Sequence, residues 1–269
     1  MKYRVLAALP VVITAALYLV VHLVGDRAMG AEVLTRSVQS AKIAAGVGCI
    51  VAAFTFARGD YLRRAWLFAG VSSVLLARDI WLFPLGMETT FLGVTVEAIN
   101  HVIVGIANVF GVAATVLMAR AWQVGGIELP GSSMRKWMVV VAAIVVAFAI
   151  AGVPLVHDLA NVAAGKKVPL INMISSGADI VSIALIAPVL LTVLAIRGGV
   201  LVWPWSLYMA SMVAWLAYDA ADVLSRSASF ASHAASLGIV AELMRVLACG
   251  YLCVSGVAQR TSVLSVDLE

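Results

Sequence analysis

The chain has 269 residues, 63% of them hydrophobic and only 12% charged, with a formal net charge of +4 and a mean hydropathy of +1.06. Soluble domains carry roughly 25% charged residues, so this composition excludes an ordinary soluble domain. The positive balance reflects basic loops of the kind that flank membrane spans, and no nucleic-acid partner is expected.

Runs of about 20 apolar residues read as transmembrane helices. In chain order the predicted spans are 4–25, 38–57, 62–84, 94–120, 136–156, 170–196, 200–224 and 235–258. Nothing shows the alternating ten-residue segments of an outer-membrane barrel. The expected fold is all-α: a polytopic integral membrane protein with eight transmembrane helices. Lys2 and Arg4 ahead of an apolar run resemble the start of a signal peptide. That run continues to about Val24 with no small-residue cleavage site, so it is expected to be the first helix.

The charges inside these spans lie toward one end of each. His22 closes helix 1 and Lys42 opens helix 2. Arg78 and Asp79 end helix 3, and Glu97, Asn100 and His101 begin helix 4. His157 and Asp158 end helix 5, and Asp179 lies early in helix 6. Tyr218, Asp219 and Asp222 end helix 7, and Glu242 and Arg245 begin helix 8. At 1.5 Å per residue most of them sit roughly 5–17 Å below one membrane surface. The other halves of the spans are nearly uncharged. A charge in lipid costs about 2.5–3.5 kcal/mol on insertion scales, so such residues face the bundle interior and serve a site.

Orientation follows from the basic residues outside the spans. One side carries ten: Lys2, Arg4, Arg58, Arg63, Arg64, Arg120, Arg135, Lys136, Arg197 and Arg260. The other carries five: Arg27, Arg36, Lys166, Lys167 and Arg226. Basic loops stay cytoplasmic, which predicts both termini inside the inner membrane of a bacterium and the polar layer in the outer half.

The chain also repeats itself. Arg58 and Gly59 align with Arg197 and Gly198. Leu62, Trp66, Ser72 and Val74 align with Leu201, Trp205, Ser211 and Val213, and one insertion later Asp79 meets Asp219. Glu97, Gly105, Val109 and Gly111 then meet Glu242, Gly250, Val254 and Gly256. This predicts two parallel four-helix repeats, 1–125 and 126–269, integrated in one membrane domain and related by an axis along the membrane normal, with the site between them.

Helical spacing sharpens the candidates. Glu97, His101 and Asn108 share one face of helix 4, and Glu242, Arg245, Cys249 and Cys253 share one face of helix 8. The expected ligand-binding set is Lys42, Arg78, Asp79, Glu97, Asn100, His101, Asp179, Tyr218, Asp219, Asp222, Glu242 and Arg245. These residues are expected to line a cavity whose deepest charged pair is Glu242 and Arg245. The plain structural alternative is a set of ion pairs that fixes helix register. No metal site is expected: no tight two-histidine spacing appears, and only His101 with Glu97 offers two ligands on one face. His22 and His157 near helix ends read as solvated. Cys49, Cys249 and Cys253 fall within helices and read as small apolar residues rather than a disulfide framework. No phosphate loop or nucleophile elbow is present, and no cofactor is implied.

Two resemblances attach to these residues. The segment Phe56-Ala-Arg-Gly-Asp-Tyr-Leu-Arg-Arg-Ala-Trp66, the Asp near the end of each third helix and the acid early in each fourth helix resemble the multi-pass sensory regions of bacterial histidine kinases and cyclases. The stretch Ala217-Tyr-Asp-Ala-Ala-Asp222 through Glu242 is most similar to them. No output domain of that kind is expected within these 269 residues. Lys42, Asp79, His101 and Asp219 also resemble the pattern of YhhN-like lysoplasmalogenases, eight-helix enzymes with a Lys early in helix 2, an Asp late in helix 3, a His in helix 4 and an Asp or Asn late in helix 7. It departs from their Gly-Asp, which is Arg78-Asp79 here.

Three functional classes follow. The first is a sensory or ligand-binding membrane protein with an outward-facing polar pocket for a small molecule or lipid. The second is an intramembrane lipid hydrolase, with Asp79, His101, Asp219 and Glu242 as acid–base groups. The third is a small-solute transporter, disfavoured by the apolar cytoplasmic halves and by the scarcity of mid-span breaks, Pro188 and Gly105 being the candidates. Expected partners are the lipid bilayer and that ligand, with a protein partner or homo-oligomer as a further alternative.

Overall fold

In a lipid environment every backbone N–H and C=O must bond within its own segment, which drives apolar runs into helices. A computed structural model describes residues 2–23, 27–196 and 199–266. Eight long helices carry the fold: α1 (Lys2–Leu23), α2 (Arg27–Ala53), α3 (Tyr61–Leu76), α4 (Val96–Val124), α5 (Ser133–Ala163), α6 (Leu170–Ala195), α7 (Val202–Ser225) and α8 (Ala234–Val266). Arg197 and Gly198, which open the sequence match in the second half, lie outside the described residues, as does Val24.

Several boundaries differ from expectation: α5 runs to Ala163 and α8 to Val266, beyond the expected 156 and 258, and two further differences bear on the site. Helix α2 starts at Arg27 instead of 38, so Arg27 and Arg36 belong to a helix and not to a loop. The added turns are polar but self-supporting: Arg36 pairs with Glu32 at 2.5 Å, and the Ser37 and Ser40 hydroxyls donate to carbonyls one turn back. Helix α3 stops early. Its cap, the N–H of Ala77, bonds to the Val74 and Leu75 carbonyls, and a short turn, Asp79–Leu82, follows. Arg78 and Asp79 therefore sit at a break rather than inside a continuous helix. Beyond it a two-residue hairpin, Thr90–Phe91 against Val94–Thr95, turns on Leu92 and Gly93, both at positive φ (54° and 80°), as a type I′ turn requires. Thr95 then caps α4, accepting from the Ala98 N–H at 3.2 Å.

Six helices close a ring in the order α2, α3, α4, α6, α7, α8, with α8 returning to α2. Helix α1 packs outside against α8 and α2, and α5 packs outside against α6. The seam between α2 and α8 is made by glycine. A Cβ at Gly48 would lie 2.5 Å from the Cys253 carbonyl oxygen, and one at Gly256 would run into the Gly48 carbonyl. Small residues permit such backbone contact between helices in lipid. In corresponding places of the two halves, Ser72 donates to the Ala107 carbonyl of α4 (2.9 Å) and Ser211 to the Ala248 carbonyl of α8 (2.8 Å).

Two helices are interrupted at prolines. A π turn, Phe148–Gly152, precedes Pro154 in α5, and α6 breaks at Leu185, three residues before Pro188. Proline lacks the N–H that would continue the ladder. Gly105 stays within the unbroken α4.

Helices α1, α4, α5, α6 and α8 are each long and apolar enough to cross a membrane. The outer faces carry exposed large apolar side chains, among them Val12 and Leu19 on α1 and Trp137, Val145 and Val156 on α5. Such faces are unfavourable in water and suited to lipid. The chain is an all-α, multi-pass membrane protein. The three helices outside that set, α2, α3 and α7, carry or adjoin Lys42, Asp79 and Asp219, whose polarity points inward.

Candidate functional site

A cavity of about 660 Å³ lies inside the ring, and all six ring helices contribute to its wall while α1 and α5 do not. Its upper part is ionic and its lower part apolar. Tyr208 and Asp219, both on α7 and eleven residues apart, line it along about 16 Å of helix. Below it a cluster that includes Cys49, Ala52, Trp66, Met118, Val189, Trp205 and Tyr208 closes the bundle.

Asp79 is the centre of the polar wall. The break after α3 turns it inward, where its Oδ2 accepts from the Gln39 amide at 2.8 Å and the Lys42 ammonium at 3.2 Å. Gln39 and Lys42 are one helical turn apart on α2, so both reach the same carboxylate. The Arg78 guanidinium lies 3.2 Å from Oδ1 and donates to Asn100 at 2.8 Å and to the Leu76 carbonyl at 3.0 Å. These bonds tie α2, α3 and α4 together at one end. Lys42 and Asp79 are only 5% and 9% exposed at their side chains.

On α8, Arg245 pairs with Glu242 at 3.0 Å, donates to the Tyr218 hydroxyl, and lies over the Tyr218 ring, 4.2 Å from its centroid. At 21% and 35% exposure this pair is shallower than Lys42 and Asp79. That corrects the expectation that Glu242 and Arg245 are the deepest. The reason is the α3 break, which carries Asp79 into the ring where a continuous helix would not.

The opposite wall is acidic. Asp179 on α6 and Asp219 on α7 both line the cavity. Ser175, Asp179 and Ser182 form one stripe of α6, and Asn108 of α4 donates to Ser175 at 2.9 Å.

Four expected residues are placed elsewhere. Glu97 and His101 lie in a separate shallow groove with Thr95 and Lys167. They are on the cavity stripe of α4 but one to two turns too high, level with the 167–169 loop. Asp222 is one turn beyond Asp219 and is held by Arg226 at 2.8 Å. Asn100 fixes Arg78 from outside the lining. His22 and His157 are exposed. Among the described residues no three His, Cys, Asp or Glu side chains converge as a metal site would require, and His101 with Glu97 gains no third such ligand. Cys249 lines the cavity, and all three cysteines are free thiols.

Gln39 was not singled out from sequence. Its spacing three residues before Lys42 was a readable signal, but a helix beginning at 38 put it at the membrane edge. Ser175 and Ser182, at i−4 and i+3 from Asp179, were equally readable.

Comparison with protein-family models, with curated proteins and with solved structures finds no match for this chain.

Proposed function

We propose that the chain is a bacterial inner-membrane protein in which the ring cavity binds a small molecule or lipid from the non-cytoplasmic side, in the manner of a multi-pass sensory region. The cavity itself carries this reading. At about 660 Å³ it falls within the range of roughly 300–1,000 Å³ typical of small-molecule sites. A polar mouth over an apolar floor suits an amphiphile, with its head among Lys42, Asp79, Asp219 and Arg245 and its body toward Met212 and Leu252. The closed apolar cluster below supports one-sided access over transport through the bundle. Filling the space with Ala178→Phe is expected to abolish retention of small molecules or lipids that native mass spectrometry finds on the wild-type protein. If both proteins carry the same bound mass, or neither carries any, the cavity is not the functional site.

In this reading all eight helices cross the bilayer as two parallel four-helix units with cytoplasmic termini. The paired serine bonds of α3 to α4 and α7 to α8 support two units, though their acceptors, Ala107 and Ala248, differ by one turn from the sequence match. Of the native thiols, Cys49 and Cys249 are buried and Cys253 is half-buried, so labelling of the engineered cysteines is scored against the wild-type protein. Lys166→Cys is expected to react with an impermeant maleimide on intact cells, and Val200→Cys only after permeabilisation. The reverse pattern would invert the sidedness.

A second reading has one observation in its favour: Lys42, Asp79 and Asp219, three of the four residues behind the lysoplasmalogenase resemblance, line the same cavity. A hydrolase here would work with carboxylates alone, since His101 stands outside. An assay of lipid hydrolysis on the same two preparations separates the readings.

A further inference from the structure

The cavity holds more acceptors than donors. Its lining carries three bases, Lys42, Arg78 and Arg245, against four acids, Asp79, Asp179, Asp219 and Glu242. All three bases are engaged, two with Asp79 and one with Glu242. Asp179 and Asp219 have no hydrogen bond or ion pair to any described residue. Counted as formal charges, the α6–α7 wall carries two negative charges and the Asp79 group one surplus positive charge, which leaves the lining with a net of one negative charge. Asp179 and Asp219 are half-buried, and two fully buried acceptors of the lining also lack a hydrogen-bond donor: Gln39 Oε1, whose amide N–H goes to Asp79, and Asp79 Oδ1, which has only the Arg78 charge beside it. A buried acceptor without a donor is costly, and a buried carboxylate more so.

We propose that the α6–α7 wall binds an alkylammonium: a protonated amine whose N–H groups reach Asp179 and Asp219 and whose hydrocarbon lies along Ile183, Met212 and Leu216. This rests on the cavity being a binding pocket. A primary ammonium brings three donors and one positive charge, which match the two unpaired carboxylates and the surplus negative charge. Trp215, one turn below Asp219 on α7, adds an aromatic face that favours a cation nearby. A bare metal ion fits less well, because the space is far larger than an ion and the described residues offer no convergent third acid, thiol or imidazole.

The test is calorimetric titration of the purified full chain in detergent with three six-carbon probes at neutral pH: hexylammonium, hexanol and hexanoate. Wild-type protein is expected to bind hexylammonium about tenfold or more tightly than hexanol, the scale of a hydrogen bond to a charged group. Asp179→Asn and Asp219→Asn, which keep the side-chain shape, should each erase most of that preference. The probe comparison on wild type needs no variant, so a folding defect cannot hide the result. Equal binding of hexylammonium and hexanol, or full preference in both Asn variants, overturns the proposal. Tightest binding of hexanoate, abolished by Ala178→Phe, also overturns it but leaves the pocket reading standing. Binding of all three probes that survives Ala178→Phe, or no binding of any, removes the pocket and the ammonium site together.

Discussion

Replacing Asp79 with leucine is expected to destabilise the protein by about 3–5 kcal/mol, the cost of removing one partner from a buried ion pair. Asp79 is the only anion that Lys42 and Arg78 contact among the described residues, and their side chains are 5% and 13% exposed. Without it, two cations face each other across a low-dielectric wall of a cavity that Arg245 also lines. The Gln39 amide loses its acceptor as well. Lys42→Met alone should cost less, because Asp79 keeps Arg78 and Gln39. Lys42→Met combined with Asp79→Leu should also cost less than Asp79→Leu alone, because Arg78 retains Asn100 and the Leu76 carbonyl. Unfolding by dodecyl sulfate in mixed micelles would measure all three. If Asp79→Leu is silent, or the two changes simply add, this carboxylate is not the electrostatic centre of the wall.

The glycine seam should be almost as sensitive. At Gly256 a methyl group would meet the Gly48 carbonyl, and at Gly48 it would meet the Cys253 carbonyl at 2.5 Å. Both obstacles are backbone, so relief requires α2 and α8 to separate. Overpacking of this kind costs about 1–3 kcal/mol, and Gly256→Ala should fall at the upper end or beyond. The same substitution at Gly177 on α6 or Gly238 on α8 has open space around it. There it should be neutral or stabilising, since mid-helix glycine is worse than alanine by about 0.5–1 kcal/mol. Because the seam also sets the distance between Lys42 and Arg245, Gly256→Ala should weaken whatever binding the cavity shows. A thermal-unfolding series over the four glycines would check the ranking. Equal effects at Gly177 and Gly256 would mean that the seam tolerates separation.

Much of this architecture was legible along the chain, and the reason is that hydropathy is a one-dimensional property. Each segment must satisfy lipid by itself, so eight apolar runs announced eight helices, and the cost of charge in lipid marked Lys42, Arg78, Asp79, Asp179, Asp219, Glu242 and Arg245 as inward-facing before any packing was known. The helix ends were less legible where polar residues support themselves locally. Glu32 with Arg36 extends α2 by eleven residues ahead of the expected start at 38, because an i,i+4 pair stabilises a helix that hydropathy does not register.

Only the tertiary structure decided which of the marked residues meet. Glu97 and His101 have the right stripe of α4 and the wrong height. Asp222 has the right helix but is taken by Arg226, and Asp79 reaches its partners through a break that apolar periodicity does not record. Height and rotation are set where backbones touch, at Gly48 and Gly256 and at the serine bonds to Ala107 and Ala248. Those contacts join residues distant in sequence. The composition of this chain therefore determined that it carries a polar layer, while the close packing of α2 on α8 and the ring closure determined that two of its acids, Asp179 and Asp219, line a cavity with no partner among the described residues.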